Sequence, residues 1–600
     1  MPRIQKAGTS HPAARVSAHC SRSKLRVIAC DEFCHWRPFY RRPIDYAVKS
    51  IQGMCGIWAV FGKVDSDASR YLKCVEALKA RGPEGTRIQP IGTVGYLGFT
   101  RLAINGLTEE GMQPMVSKGS VWMANGEIYN WKALATEHGL SCTTGSDCEV
   151  IGELYERHFK DTGNADIGEL FRMLDGVFAC VIVDVVARRV IVARDPYGVR
   201  PLFYGRDWGT VFFGSELKSV KPMCLEAFTF DPGTYSVFNL DTAELLCSVK
   251  YHVVSTLTLP GLSDVEAASS AVRAALEAAV SKRMMTERPV AALLSGGLDS
   301  SLIASLVARR LRELGLPPLK TFSIGMAGSE DLRYAKSVAD WIGSDHTEVL
   351  VTEDEMFNAI EQVIGDIESY DTTTVRASVG NWLVSKAVRE RSECKVVFNG
   401  DGADEVWGSY LYMFGAPSAR AYENEVLSLL ESIHTYDVLR SDRCISSHGL
   451  EPRTPFLDKA FVQTVLSIPV GLRRPLVGRV PEKWLMRRAF DDGVTLPRAV
   501  LWRKKEAFSD GVSPTTESWY QIIQRRVAGL VWDSDLASAE QKYPVNTPTT
   551  AEMYYYRTIF ESKYGAKMDT VTVPAFWMPK WSNTTDPSAR TLGKLLEEIA

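Results

Sequence analysis

The sequence predicts two domains of different class, an α+β half built on antiparallel sheets followed by an α/β half built on a parallel sheet. Three observations carry this expectation. The chain has 600 residues of which 45% are hydrophobic, too long for one core and too apolar for a disordered protein. From Cys55 to about Lys250, short β-rich runs alternate with turn residues, the pattern of hairpins. Beyond Asp264 the pattern changes to helices alternating with short apolar strands, which indicates a parallel sheet with helices on both faces.

Taken in order, residues 1–54 form an extension set apart from the rest. Up to residue 53 it carries ten Lys and Arg against Asp31, Glu32 and Asp45, with little hydrophobic periodicity. Arg richness fits an organellar transit peptide, and Cys20, Cys30, Cys34 and His35 fit a zinc ligand set; the preferred reading is an upstream extension that is disordered, processed or non-native. Residues 55–250 form the first domain, with strands expected at Gly56 to Phe61, Val121 to Ala124, Val177 to Val186, Val190 to Ala193 and Thr210 to Phe213. Residues 251–580 form the second, entered through a linker at Pro260-Gly261, with strands at Val290 to Leu294, Thr321 to Ile324 and Lys395 to Phe398. Residues 581–600 are a tail.

The formal net charge of −3 gives no basic footprint for nucleic acid or an anionic membrane. The longest apolar candidate, Gly176 to Ala193, is broken by Asp184, Arg188 and Arg189, so no membrane span is expected. Twelve cysteines lie scattered without CxxC pairs, which suits reduced thiols in a cytoplasmic compartment. Small molecules are the expected partners.

One stretch carries chemistry by itself. Ser295-Gly296-Gly297-Leu298-Asp299-Ser300-Ser301 follows the apolar run ending at Leu294 and opens a helix marked by Leu298, Leu302, Ile303, Leu306 and Val307. Backbone N–H groups at such a turn attract phosphate oxygens, glycine permits close approach, and Asp299 offers a hard oxygen ligand for Mg²⁺. The loop lacks the Lys of a Walker A sequence and resembles the SGGxDS loop of ATP pyrophosphatases. That resemblance implies ATP as substrate, with Leu294, Ser295, Gly296, Gly297, Asp299 and Ser300 around it and Ile324, at a second strand end, near the adenine.

The first domain resembles glutamine amidotransferases whose nucleophile is an amino-terminal cysteine. The match is spread over Met54-Cys55-Gly56-Ile57, Arg81-Gly82-Pro83-Glu84, Arg101-Leu102-Ala103-Ile104, Asn125-Gly126-Glu127-Ile128-Tyr129-Asn130, Gly145 to Glu149 and Arg194 to Leu202. The resemblance implies an αββα sandwich of antiparallel sheets. It assigns Cys55 as nucleophile, with its own α-amine as base, Asn125 and Gly126 as the oxyanion hole, and Arg101, Glu127 and Asp147, with Asn125 and Gly126, as the glutamine-binding set. A peptide bond at the Cys55 nitrogen would remove the basic lone pair, so the functional chain is expected to begin at Cys55.

From Met54 to near Arg590 the chain resembles the glutamine-hydrolysing asparagine synthetases. Tyr370-Asp371-Thr372-Thr373-Thr374-Val375-Arg376-Ala377-Ser378, Gly400-Asp401-Gly402-Ala403-Asp404-Glu405, Pro481-Glu482-Lys483, Arg453 to Asp458 and Trp502 to Val512 follow the phosphate loop in that family's order. The resemblance implies that Thr373 and Arg376 bind aspartate, that Gly400 and Lys483 face ATP or pyrophosphate, and that Asp299 and Asp404 share Mg²⁺. It implies adenylation of aspartate followed by attack of ammonia carried through an internal apolar passage, and it leaves a homodimer open. Asp401 departs from the family, which often carries Glu there; it is expected to take the proton from the attacking ammonia. Two alternatives remain open to the sequence: a β-lactam synthetase type of adenylating enzyme, against which Cys55, Asn125 and Arg101 argue, and a non-catalytic relative that only binds ligand.

Overall fold

The computed structural model describes residues 55–514 and 516–588, with the backbone of Ile44–Tyr46. Most of the expected extension, including Cys20, Cys30, Cys34, His35 and Met54, lies outside the described residues, as do residues 589–600 of the tail. Within that extension the backbone of Ile44–Tyr46 forms a strand. It pairs antiparallel with Gly85–Ile91 as the edge of a sheet.

The first half stacks two antiparallel sheets, one of seven strands and one of six. The Gly56–Gly62 strand shows why they stack. Ile57, Ala59 and Phe61 alternate onto the face shared with Val121, Met123, Val181 and Val183 of the second sheet, while Trp58 and Val60 point the other way against Tyr71 and Val75 of the Ser69–Glu76 helix. Trp122 and Ala124 likewise turn outward onto Ile151 and Leu154 of the Glu149–Leu154 helix. Helix, sheet, sheet and helix follow one another, as the resemblance implied. The expected strands are found at Gly56–Gly62, Ser120–Ile128, Gly176–Asp184, Arg189–Arg194 and Thr210–Gly214; all ends fall within a residue or two of expectation except that the second strand runs four residues past Ala124, carrying Asn125, Gly126 and Glu127 within the sheet.

The second half is a five-stranded parallel sheet in the order Asp345–Leu350, Lys320–Gly325, Val290–Leu293, Val396–Phe398, Glu451–Arg453. The Val290–Leu293 strand is central and feeds the Leu298–Glu313 helix. Its neighbour Val396–Phe398 feeds the turn at Gly400 to Gly402, so two loops meet at the carboxyl edge of the sheet, where ligands bind in open parallel folds. A Cβ on Gly400 would stand 2.8 Å from the Ser300 nitrogen, which measures how closely they meet. No helix among the described residues is long and apolar enough to cross a membrane. One apolar core holds Leu102, Val177 and Val199 of the first half together with Leu294, Leu298 and Leu302 of the second.

Candidate active sites

Cys55 immediately precedes the Gly56–Gly62 strand, whose antiparallel partner places Thr100 opposite Gly56 and so brings Leu102 beside the thiol. The Cys55 Sγ lies 3.2 Å from the Leu102 carbonyl oxygen and accepts the Leu102 N–H at 3.3 Å. Burial pushes the thiol up to about 12, and Arg101 and Glu127 both bear on its ionisation. Asn125, Gly126 and Glu127 come from the facing sheet. Asn125 Nδ2 has only a long 3.5 Å contact with Ser215 Oγ, while its Oδ1 is buried without a hydrogen-bond partner. Gly126 sits at φ +155°, and a Cβ there would stand 2.1 Å from the Val177 carbonyl oxygen, so no larger residue fits.

Asp147 and Glu127 are brought together by Asn105, whose Nδ2 donates to Glu127 Oε2 at 2.7 Å and lies 3.5 Å from Asp147 Oδ1. Asp147 Oδ2 accepts the Ile128 N–H at 2.6 Å, and burial pushes its carboxyl up to about 6. Burial, with Asp147 and Glu451 nearby, raises Glu127 well above the usual carboxylate range. Arg101 is buried and donates through Nη2 to the Gly106 carbonyl oxygen at 2.5 Å. All the candidates of the first half are therefore gathered between the ends of two facing sheets. Two partners come from the second half: Arg453 Nη2 stands 3.3 Å from Glu127 Oε2, and Glu451 lies beside it.

The second site is a cavity of about 270 Å³ at the carboxyl edge of the parallel sheet. Leu294, Ser295, Gly297, Asp299, Ser300, Ile324, Thr373, Arg376, Gly400, Asp401, Asp404 and Lys483 all line it. Gly296 does not line it but shapes its wall, at φ +73°. The Ser295 and Ser300 hydroxyls lie 3.0 Å apart, and Ser295 Oγ accepts the Gly297 N–H at 3.3 Å, which curls the loop around the start of its helix.

Lys483 Nζ sits between the two acids proposed for metal, 2.5 Å from Asp299 Oδ2 and 2.6 Å from Asp404 Oδ1. Lys505 Nζ lies 2.6 Å from Asp404 Oδ2. Burial works to raise the Asp404 carboxyl, yet Lys483 and Lys505 hold it well below the usual carboxylate range. The carboxylates of Asp299 and Asp404 thus converge on one cationic position, and Asp299 Oδ1 is buried without a hydrogen-bond partner. A divalent cation fits that donor set. No group of three or more His, Cys, Asp or Glu side chains gathers for a metal among the described residues, so phosphate oxygens would have to complete its shell.

Asp401 Oδ2 accepts from Asn399 Nδ2 at 2.7 Å and lies in reach of Arg440, 3.9 Å from its Oδ1. Burial and then the charge of Asp437 push its carboxyl up to about 7, against the opposite pull of Arg440. Thr373 presents a buried hydroxyl with no partner at the start of the Thr372–Arg391 helix. Arg376, expected to bind aspartate, already has carboxylate partners within the chain. Its guanidinium is gripped by Glu552 at 2.7 and 2.8 Å and by Asp586 at 2.8 Å through both terminal nitrogens. A substrate carboxylate would have to displace one of them.

Sequence reasoning missed four contributors. Lys505 and Arg503 were visible only as part of the Trp502 to Val512 segment; Arg503 Nη1 donates to the Gly296 carbonyl oxygen at 3.1 Å and so supports the loop. Asp437 and Arg440 belong to no motif noted above, and only the packing of the Asp437–Ser446 helix brings them to Asp401.

Known proteins match both halves. A family model described as asparagine synthase matches residues 271–432 and 415–578, and one described as glutamine amidotransferase domain matches residues 54–269. An asparagine synthetase [glutamine-hydrolyzing] of Cricetulus griseus is 42% identical over 569 residues, spanning 90% of this chain and 98% of its own length. The protein of the same name from Homo sapiens is also 42% identical over 569 residues with the same coverage. Among solved structures, a glutamine phosphoribosylpyrophosphate amidotransferase from B. subtilis, complexed with ADP and GMP, aligns with 50% of this chain and 91% of its own at 16% identity, with a TM-score of 0.30.

Proposed function

The chain belongs to the glutamine-hydrolysing asparagine synthetase family, and from that premise we propose how its two sites divide the reaction. The enzyme converts ATP, L-aspartate, L-glutamine and water to AMP, diphosphate, L-asparagine and L-glutamate. We assign glutamine hydrolysis to residues 55–250 and synthesis to residues 251–580.

In the first site the Cys55 sulfur attacks the glutamine side-chain amide. A thiol this deeply buried is neutral near pH 7, so a base must take its proton, and in a chain that begins at Cys55 the α-amine of that residue is the base. Asn125 Nδ2 and the Gly126 N–H receive the oxyanion, and Arg101, Glu127 and Asp147 hold the amino-acid end of the substrate. In the second site, N–H groups of the Ser295 to Ser300 loop receive the β- and γ-phosphates. Lys483 exchanges Asp299 and Asp404 for the departing diphosphate. Asp299 and Asp404 would hold Mg²⁺, which supplies positive charge to the phosphates. Thr373 and Arg376 orient aspartate, and Asp401 takes a proton from the attacking ammonia. The continuous apolar packing from Leu102, beside the thiol, to Leu294 and Leu298, beside the loop, supports an internal path for uncharged ammonia. We place the enzyme in the cytoplasm, in keeping with its scattered cysteines.

The observation that carries the reading is the single cavity that collects the phosphate loop, Asp401, Asp404 and Lys483 from stretches far apart in sequence. Incubation with ATP, aspartate and ¹⁵N-amide glutamine should give AMP, diphosphate and ¹⁵N-asparagine in equal amounts. ADP in place of AMP, or no label in asparagine, would overturn it.

A further inference from the structure

The Asp437–Ser446 helix touches both sites with opposite faces. Toward the ATP cavity, Asp437 Oδ2 accepts the Gly402 N–H at 2.8 Å, Arg440 lies 3.9 Å from Asp401, and Ser441 Oγ accepts from Asn399 Nδ2 at 2.6 Å. At helical spacing, Asp442 and Ser446 point the other way. Asp442 takes the Arg81 guanidinium through both terminal nitrogens, at 2.7 and 3.1 Å, Ser446 Oγ accepts from Arg81 Nη1 at 2.9 Å, and Glu216 of the first half accepts from that same Nη1 at 2.9 Å, so Asp442 alone holds both terminal nitrogens. The remaining edge of Arg81 matters most: its Nε donates to the carbonyl oxygen of Cys55 at 3.2 Å. Arg81 is 0% exposed and Asp442 1%.

A planar fork held at one edge fixes the direction of the N–H at the other. We propose that Asp442, a residue of the synthetase half, is a positioning residue for glutamine hydrolysis, aiming Arg81 so that the main chain of the nucleophile residue is held in place. The carbonyl of Cys55 sets its Cα, and the Cα sets both the sulfur and the α-amine that takes its proton. The glutaminase site is then incomplete without the synthetase half. A purely structural ion pair between domains would account for the Asp442 contacts, which also include Arg443 at 3.0 Å and Arg200 at 3.5 Å. It would not require the chain of bonds to end on the nucleophile residue.

The proposal rests on Cys55 as nucleophile. In the glutamine-hydrolysing form of the enzyme, glutaminase kcat and KM are measured beside ammonia-dependent asparagine synthesis for Asp442→Asn, Asp442→Glu and Ser446→Ala. Asp442→Asn should lower glutaminase kcat by roughly tenfold to a hundredfold, the scale of a small misplacement of a reacting group. Its KM for glutamine and its ammonia-dependent synthesis should stay within about twofold, and Asp442→Glu should recover part of the loss. Ser446→Ala, which leaves every charge in place, should show a smaller loss of the same kind. Unchanged glutaminase in Asp442→Asn and Ser446→Ala overturns the positioning role, as does ammonia-dependent synthesis that falls in step with glutaminase in all three. Cys55→Ala separates the two readings: glutaminase that survives there overturns the nucleophile assignment and this proposal with it, whereas glutaminase lost there but intact in Asp442→Asn overturns the positioning role alone.

Discussion

At Asp401 the structure shows how a short acid is served. Asn399 and Arg440 reach in to it, and burial with Asp437 keeps its carboxyl near neutrality. A group with its proton equilibrium near 7 is about a tenth ionised at pH 6, so a base at this position gains activity as pH rises through 7. Ammonia-dependent synthesis, followed at a fixed concentration of uncharged ammonia, should rise with a midpoint near 7; Asp401→Asn should lose synthesis and Asp401→Glu keep part of it. A flat profile would leave Asp401 with a structural role. Asp299→Asn or Asp404→Asn should abolish aspartate-dependent diphosphate release while glutaminase turnover persists, because each removes a charge from the phosphate end of the cavity alone. At Cys55, a chain in which its nitrogen is acylated should make asparagine from ammonia but hydrolyse no glutamine. Mass spectrometry of the amino terminus, paired with a glutaminase assay, checks this.

The phosphate loop works as an element because of where glycine stands in it. Gly296 is at φ +73°, and a Cβ there would lie 2.4 Å from the Ala335 nitrogen and 2.5 Å from the Tyr334 Cβ. Left-handed backbone alone costs an alanine roughly 1–2 kcal/mol. Gly296→Ala should therefore lower the melting temperature measurably and depress synthesis more than tenfold, with glutaminase less affected; unaltered synthesis would mean that the loop can relax. The loop and its helix were legible because a strand, a glycine turn and a helical apolar stripe follow one another without interruption. Other elements were not. Glu451–Arg453 is a three-residue edge strand containing Pro452, a residue that counts against a strand everywhere except at an edge. Only parallel pairing with Val396–Phe398 makes it one.

Across the whole molecule, the two sites are tied by buried ion pairs as well as apolar packing. Arg81 meets Asp442 and Glu127 meets Arg453, each pair joining one half to the other with side chains 4% exposed or less. If ammonia travels inside the chain, separating the two activities onto different molecules should fail to restore the reaction. A mixture of Cys55→Ala and Asp299→Asn proteins, one able to use ammonia and the other to release it, should make far less asparagine from glutamine than the parent when an ammonia-consuming enzyme is present. Equal yield would show that ammonia passes through solvent.

What the sequence determined by itself is local and ordered. The fold class of each half, the phosphate loop and the nucleophile candidate all rest on neighbouring residues, whose spacing carries periodicity, turn chemistry and resemblance directly. What the tertiary structure decided is which distant charges meet. Lys483 lodges between Asp299 and Asp404, Arg376 is held by Glu552 and Asp586, and the Asp437–Ser446 helix shows one face to Asp401 and the other to Arg81. The physical reason is that a salt bridge leaves no periodic trace in sequence. Its partners are chosen by how the sheet edges and helices pack, so the same acid reads as surface charge, metal ligand or domain clamp until that packing is known.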